Sequence, residues 1–332
     1  MRHLIAALGL ALVAVAAGAA EPIILKFSHV VAIGTPKGKA AQRFKELAEK
    51  YTGGAIRVEV YPDSSLYKDK EEFEALQLGA VQMIAPSLAK FSPLGIRSFE
   101  VFDLPFLFDN EAELHRVTNG PVGEALLESL ESRGIKGLAF WDNGFKSFSA
   151  NRPIRRPGDL KGLRMRIQSS QTLYEQMRVL GAQPEVMGFS EVYQALKAGV
   201  VDGTENPHSN LFTQHMDEVQ SHVTVSRHGY LGYAVLTNLR FWESLPGDLR
   251  DGLERAMVDA TRYANSIAAE ENERAIERVR AAGNAEVYEL TAEEREAFRQ
   301  ALLPVHRAMA GRIGRSLVEA VYEATGFDPD GN

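Results

Sequence analysis

Arginines alternate with apolar residues in Leu163-Arg164-Met165-Arg166-Ile167, and of the groups in this chain these are the best placed to do chemistry. Successive side chains of a strand point to opposite faces. If Leu163, Met165 and Ile167 pack into a core, Arg164 and Arg166 point away from it, and Arg166 falls at the strand's carboxyl end. In open α/β sheets ligands bind beyond that end. A guanidinium there can hold a carboxylate through two parallel hydrogen bonds, which a lysine ammonium cannot reproduce. A surface ion pair with a protein carboxylate accounts for Arg166 equally well on these residues alone.

Signatures of other chemistry are scarce. Gly34-Thr35-Pro36-Lys37-Gly38-Lys39-Ala40 is close to a phosphate-binding loop, but its glycine spacing is one residue short. Ala40 also stands where a magnesium-binding Ser or Thr is needed. No G-x-S-x-G elbow, H-E-x-x-H helix, dinucleotide glycine fingerprint or calcium loop is present. His208, His215, His222 and His228 are separated by seven, seven and six residues, which tempts a metal reading. The β-prone Val223-Thr224-Val225 interrupts them, and scattered core or surface histidines are the simpler account. The chain has no cysteine, so disulfides, thiolate nucleophiles and cysteine-ligated metals are excluded. A net charge of -7 without a dense Lys/Arg run makes nucleic acid an improbable partner, so a site for an anion must be a local positive spot in an acidic body.

The elements that must position Arg166 follow from periodicity. Ile23 opens a short β-prone run, and Thr35-Pro36 starts a helix in which Phe44, Leu47, Ala48 and Tyr51 keep helical spacing. Ile56, Val58 and Val60 alternate with polar residues as in a half-buried strand; a polar helix over 70–78 leads to a strand over 81–85. This β-α-β-α-β series predicts a sheet of parallel strands with crossover helices. The series restarts after Trp141, with the arginine-bearing strand, a helix over 171–180 and a further helix that Ser190 can cap and Gly199 ends. Two successive α/β lobes are the simplest account, and a cleft between them is the default site. Residues 246–282 read as one helix about 55 Å long, enough to bridge both lobes unless a kink near 270–273 divides it.

With 332 residues, 45% hydrophobic and 24% charged, the chain is an ordinary globular protein. Its first twenty residues have the parts of a secretory signal: Arg2 and His3, an apolar run over 4–17 too short to span a bilayer, and the small residues Ala17-Gly18-Ala19-Ala20. The mature chain is expected to start near Ala20 or Glu21 and to work in the periplasm.

Four blocks in register carry a resemblance: Trp141-Asp142-Asn143-Gly144-Phe145-Lys146; Asp159-Leu160-Lys161-Gly162-Leu163-Arg164-Met165-Arg166-Ile167-Gln168; Gly188-Phe189-Ser190-Glu191-Val192-Tyr193-Gln194-Ala195-Leu196; and Val201-Asp202-Gly203-Thr204-Glu205-Asn206-Pro207. They resemble the periplasmic binding subunits of TRAP transporters, the tripartite ATP-independent periplasmic carriers. The resemblance implies an α/β, two-lobed periplasmic binding protein of the Venus-flytrap kind with a long helix bridging both lobes. It divides the chain into a signal peptide, 1–20, a first lobe, 21–143 plus 232–271, and a second lobe, 144–231 plus 272–332. It implies that Arg166 pairs with a ligand carboxylate and that Asn206 also touches the ligand, with Pro207 biasing Asn206 to an extended backbone.

Gly144-Phe145-Lys146, Gln168-Ser169-Ser170 and His228-Gly229-Tyr230 are most similar to the DctP-type binders of four-carbon dicarboxylates. Sialic-acid binders match less well, tending to carry an arginine in place of Lys146. A dicarboxylate needs a second cation, which Lys146 or Lys37 could supply, while Gln168, Ser87 and Tyr230 are further candidate contacts. The implied protein is a monomer without metal or cofactor that hands malate, succinate or fumarate to membrane permease subunits. Two rivals stay open at this point: a sensor with the same site chemistry, and a periplasmic enzyme using a histidine as general base.

Overall fold

The computed structural model describes residues 21–329, so the secretory signal lies outside the described residues. Among the described residues eleven strands form two sheets: β1 Ile23–Ser28, β2 Ile56–Tyr61, β3 Met83–Ile84, β4 Ile135–Phe145, β5 Ser147–Ala150, β6 Arg164–Ile167, β7 Gln183–Val186, β8 Gly203–Asn206, β9 His222–Val225, β10 Tyr230–Asn238 and β11 Glu286–Glu289. The first sheet has the order β2-β1-β3-β10-β4 and the second β11-β9-β5-β8-β6-β7.

The expected parallel crossovers are present, since β1 pairs parallel with β2 and β3, and β6 with β7 and β8. Both sheets are nevertheless mixed. β10 runs antiparallel to β3 and β4, and β5 antiparallel to β8 and β9. These antiparallel strands carry the chain between the lobes: β4 ends at Phe145 and β5 starts at Ser147 in the other sheet, and β9 to β10 makes the return. The strand expected over 81–85 is only Met83–Ile84; beyond it pairing with β10 goes on irregularly, the Pro86 carbonyl accepting from the Ala234 amide at 3.1 Å and Ser87 making an isolated antiparallel bridge with Tyr233. Ser190 is not a helix cap; a 3-10 turn, Phe189–Glu191, precedes the helix Val192–Lys197.

The helix Pro36–Tyr51 begins as the sequence suggests: the Thr35 hydroxyl accepts from the Gly38 amide at 3.1 Å and Pro36 occupies the first turn. Gly38 is required there, since a Cβ would lie 2.4 Å from the carbonyl oxygen of Ala32. The helix Gly247–Ala282 is unbroken over 36 residues, about 54 Å of rise. Its first half buries Leu253, Met257 and Ala260 with Leu25, Phe27, Phe44 and Trp141 of the first lobe. Its last turns bury Ile276 and Val279 with Val192, Leu211 and Val223 of the second. One helix therefore belongs to two cores, and each buried Leu, Ile or Met along it contributes on the order of 2 kcal/mol.

The last helix packs on a helix of the segment 21–143. Arg315–Thr325 lies against Glu111–Thr118: Arg116 donates to the Ala324 carbonyl at 2.8 Å. Just before it, Arg312 makes a two-pronged contact with the buried Glu100 carboxylate.

Candidate functional site

β6 and β8 are parallel neighbours, so their carboxyl ends open on the same side, and Arg166 and Asn206 stand there. Across from them, the carboxyl end of β1 leads to Lys37 on the helix Pro36–Tyr51, and that of β3 leads to Ser87 and Lys90. The two sheets thus aim the same kind of end at one another, with a cleft of about 520 Å³ between, lined by Asp69, Phe73, Lys90, Arg166, Gln168 and Met187 among others.

The lobes are drawn together at this point. Gln168 of the second lobe donates to the Ser87 hydroxyl of the first at 2.6 Å, and the Phe189 amide donates to the Asp69 carboxylate. Arg166 is 1% exposed. Its Nε and one terminal nitrogen donate to the Met187 carbonyl at 3.1 and 2.9 Å, and the guanidinium faces the Phe189 ring. Burial pulls its pKa down while Asp69 and Glu205 pull it up; an arginine keeps its charge under such opposition. Arg164, its neighbour on the strand, instead pairs with Asp202 at 2.7 Å on the outside of the lobe.

Lys37 is also 1% exposed. Its ammonium donates to the Ala85 carbonyl at 2.8 Å and lies 3.7 Å from the centroid of the Tyr233 ring. Burial, then the like charge of Lys90, lowers its pKa to about 7. Lys90 pairs with Asp69 and has Glu72 at 3.6 Å. Burial opposes its charge, but the two carboxylates outweigh burial and raise its pKa. Three cations, Lys37, Lys90 and Arg166, therefore share one buried region with two carboxylates.

The remaining sequence candidates divide. Gln168 and Ser87 meet across the cleft. Asn206 is buried with its amide nitrogen 3.3 Å from the Thr204 hydroxyl. Lys146 does not supply a free second cation: its ammonium is 2.7 Å from Glu205, both side chains buried, so its charge is matched inside the second lobe. Burial raises the pKa of Glu205, but Lys146 and the hydrogen bond with His228 outweigh it and bring it to about 2. The Tyr230 hydroxyl is also committed, donating to Asp142 at 2.8 Å. Lys90, Asp69 and Glu72 were not among the sequence candidates; their charged heads look like an ordinary polar helix start until the fold closes over them.

The histidines have separate partners. His208 meets Ser147, His215 Glu218, His222 Ser221, and His228 Glu205 and Ser226. No group of three or more His, Asp or Glu side chains among the described residues is arranged to hold a metal ion.

The family model for bacterial extracellular solute-binding proteins, family 7, matches residues 27–312. The chain belongs to this family. It is a family of solute binders rather than enzymes, named for proteins that work outside the cell membrane. The chain is 64% identical over 306 residues, 92% of each chain, to the C4-dicarboxylate-binding periplasmic protein DctP of Rhodobacter capsulatus. Among solved structures it resembles a TRAP periplasmic solute-binding protein of Shewanella oneidensis with bound succinate, at a TM-score of 0.89 and 40% identity, covering 92% of this chain and 99% of that one. It also resembles one of Pseudomonas aeruginosa with bound L-malate, at 0.85 and 44%, covering 86% and 100%. These family 7 structures share the two-lobed α/β fold found here.

Proposed function

We propose that this protein captures a four-carbon dicarboxylate, such as succinate, malate or fumarate, between its lobes and delivers it to the membrane permease subunits of a TRAP transporter. The observation that carries this reading is that Lys90 of the first lobe and Arg166 of the second line one cleft between the lobes, with the buried Lys37 close enough behind Lys90 for their charges to interact. Arg166 from the second lobe takes one carboxylate, with Asn206 beside it; Lys37 and Lys90 from the first lobe take the other. A ligand favours the closed state only by the contacts that differ between open and closed forms, so cations on opposite lobes make closure depend on a ligand with two charged ends. The names and bound ligands of the similar proteins support the same ligand class. Delivery to a permease rests on family membership, as does export through residues 1–20.

Isothermal titration of the mature, ligand-stripped protein tests this. Succinate, malate and fumarate are expected to bind one-to-one, with sialic acid and a monocarboxylate giving no comparable heat. Absence of heat with all three dicarboxylates would end the ligand assignment and leave the fold untouched.

A further inference from the structure

The charges lining the cleft and buried directly behind it do not match a dicarboxylate unless one of the protein's own carboxyl groups there is neutral. Lys37, Lys90 and Arg166 contribute three positive charges; Asp69 and Glu72, if both ionised, leave one. A dianion entering such a site would bring in an unmatched negative charge, which a buried region tolerates poorly. With one carboxyl protonated the cluster carries two positive charges and a dianion is neutralised.

The geometry identifies which carboxyl. Asp69 pairs with Lys90 and accepts the Phe189 amide, so its charge is supported from both lobes. Glu72 is fully buried, and neither of its oxygens accepts a hydrogen bond. Its nearest cation, Lys90, stands at 3.6 Å with its ammonium turned to Asp69. Lys37 also titrates easily, but its ammonium has the Ala85 carbonyl and the Tyr233 ring, both of which favour the charged form. The groups facing Glu72 are thus Lys90 and Asp69 on the segments either side of its helix, Lys37 on Pro36–Tyr51, and Tyr233 on β10.

We propose that Glu72 sets the charge of the ligand this site accepts, by taking up a proton when a dianionic dicarboxylate binds. The inference rests on the dicarboxylate reading above. Burial, against the pull of Lys90, already raises the Glu72 pKa to about 7 without ligand, and a bound dianion raises it further. Ordinary carboxyl groups ionise near about pH 4 to 5, so the ligand itself is a dianion throughout the range that matters. Binding then weakens as pH rises above about 7, by up to about tenfold per pH unit where one proton is taken up. Below that range Glu72 is already neutral and affinity is level.

The test is titration of the full mature protein with succinate at pH 8 in buffers of differing ionisation heat, which counts protons exchanged. Wild type is expected to take up a substantial fraction of one proton per succinate. Glu72→Gln, which mimics the neutral carboxyl, is expected to bind with clearly less uptake and a shallower dependence on pH, the remainder belonging to Lys37, whose pKa also lies at about 7. Infrared difference spectra of wild type, which do not depend on the variant folding, are expected to gain a protonated-carboxyl band on adding succinate. Binding by wild type without proton uptake overturns the proposal and leaves the dicarboxylate reading standing. Undiminished uptake in Glu72→Gln, or uptake without the carboxyl band, moves the proton to another group and overturns the role of Glu72. No binding at any pH overturns the dicarboxylate reading and this proposal with it.

Discussion

At the scale of single residues, the position of Arg166 at the carboxyl end of a strand was legible because strand alternation needs only a few neighbouring residues. The guanidinium donates twice to the Met187 carbonyl and also lines the cleft. Arg166→Ala is expected to weaken succinate binding by roughly 2 to 5 kcal/mol. Arg166→Lys is expected to recover only part of that, because a single ammonium cannot hold both the carbonyl and a carboxylate in the same plane. Titration calorimetry on both variants checks this: unchanged affinity in Arg166→Ala would remove Arg166 from the site, and unchanged affinity in Arg166→Lys would mean that charge alone suffices there. The pairing of Lys146 with Glu205 was not legible, for a physical reason. Sequence shows that a lysine is present but not which carboxylate has already claimed it, and Glu205 lies 59 residues away. Asp69, Glu72 and Lys90 were illegible for the converse reason, since charged residues near a helix start are solvated in most proteins.

At the scale of elements, the helices and parallel strands were readable from local periodicity, whereas β10 and β4 were not. Their antiparallel pairing joins residues about ninety positions apart, Tyr233 with Trp141, and no local pattern encodes the partner. These same strands build the crossover between lobes, where Gly144 has a positive φ of 155° and an added Cβ would lie 2.7 Å from the Asn272 amide nitrogen. Asn272 ties the crossover to the bridging helix: it donates to the Asn143 and Ala268 carbonyls and accepts the Ser209 amide. Asn143 in turn donates to the Tyr233 hydroxyl, whose ring underlies Lys37. Gly144→Ala is expected to cost about 1 to 3 kcal/mol of stability through backbone strain and this clash. The double variant with Asn272→Ala is expected to lose less than the sum of the two single changes, because the clash disappears with the amide. Thermal melts of the four proteins measure the coupling, and simple additivity would show that the two side chains do not meet.

At the scale of the whole molecule, an acidic chain without disulfides holds many ionisable groups out of water, and their pH effects partly oppose one another. Burial lowers the pKa of His29 to about 3 and of His306 to about 4. Each binds its proton less readily folded than unfolded, so stability falls as pH drops below the ordinary histidine value. Glu72 and Asp103 are raised to about 7, chiefly by burial, and act with the opposite sign: they bind protons more readily when folded, so their contribution grows as pH falls from about 7 towards the ordinary carboxyl range. Where the two windows overlap, from the ordinary histidine value down to the ordinary carboxyl range, the effects oppose one another. Further down, Glu205, lowered to about 2, loses its paired charge as the pH falls from the ordinary carboxyl value through that point, and nothing compensates. A level stability profile through weak acid followed by a steep loss in stronger acid is the consequence. Asp103 isolates one contribution, because one of its oxygens is buried without a hydrogen-bond partner. Asp103→Asn is expected to stabilise the protein by on the order of 2 kcal/mol at pH 8, where the wild-type carboxylate bears an unfavourable buried charge. The gain is expected to shrink as the pH falls from about 7 and to approach zero near about pH 3, where that carboxyl is neutral in both states. Urea denaturation at the two pH values measures both. A loss of stability at pH 8 would mean that the attraction of Lys146 outweighs the burial of Asp103, and that the charge is held rather than tolerated.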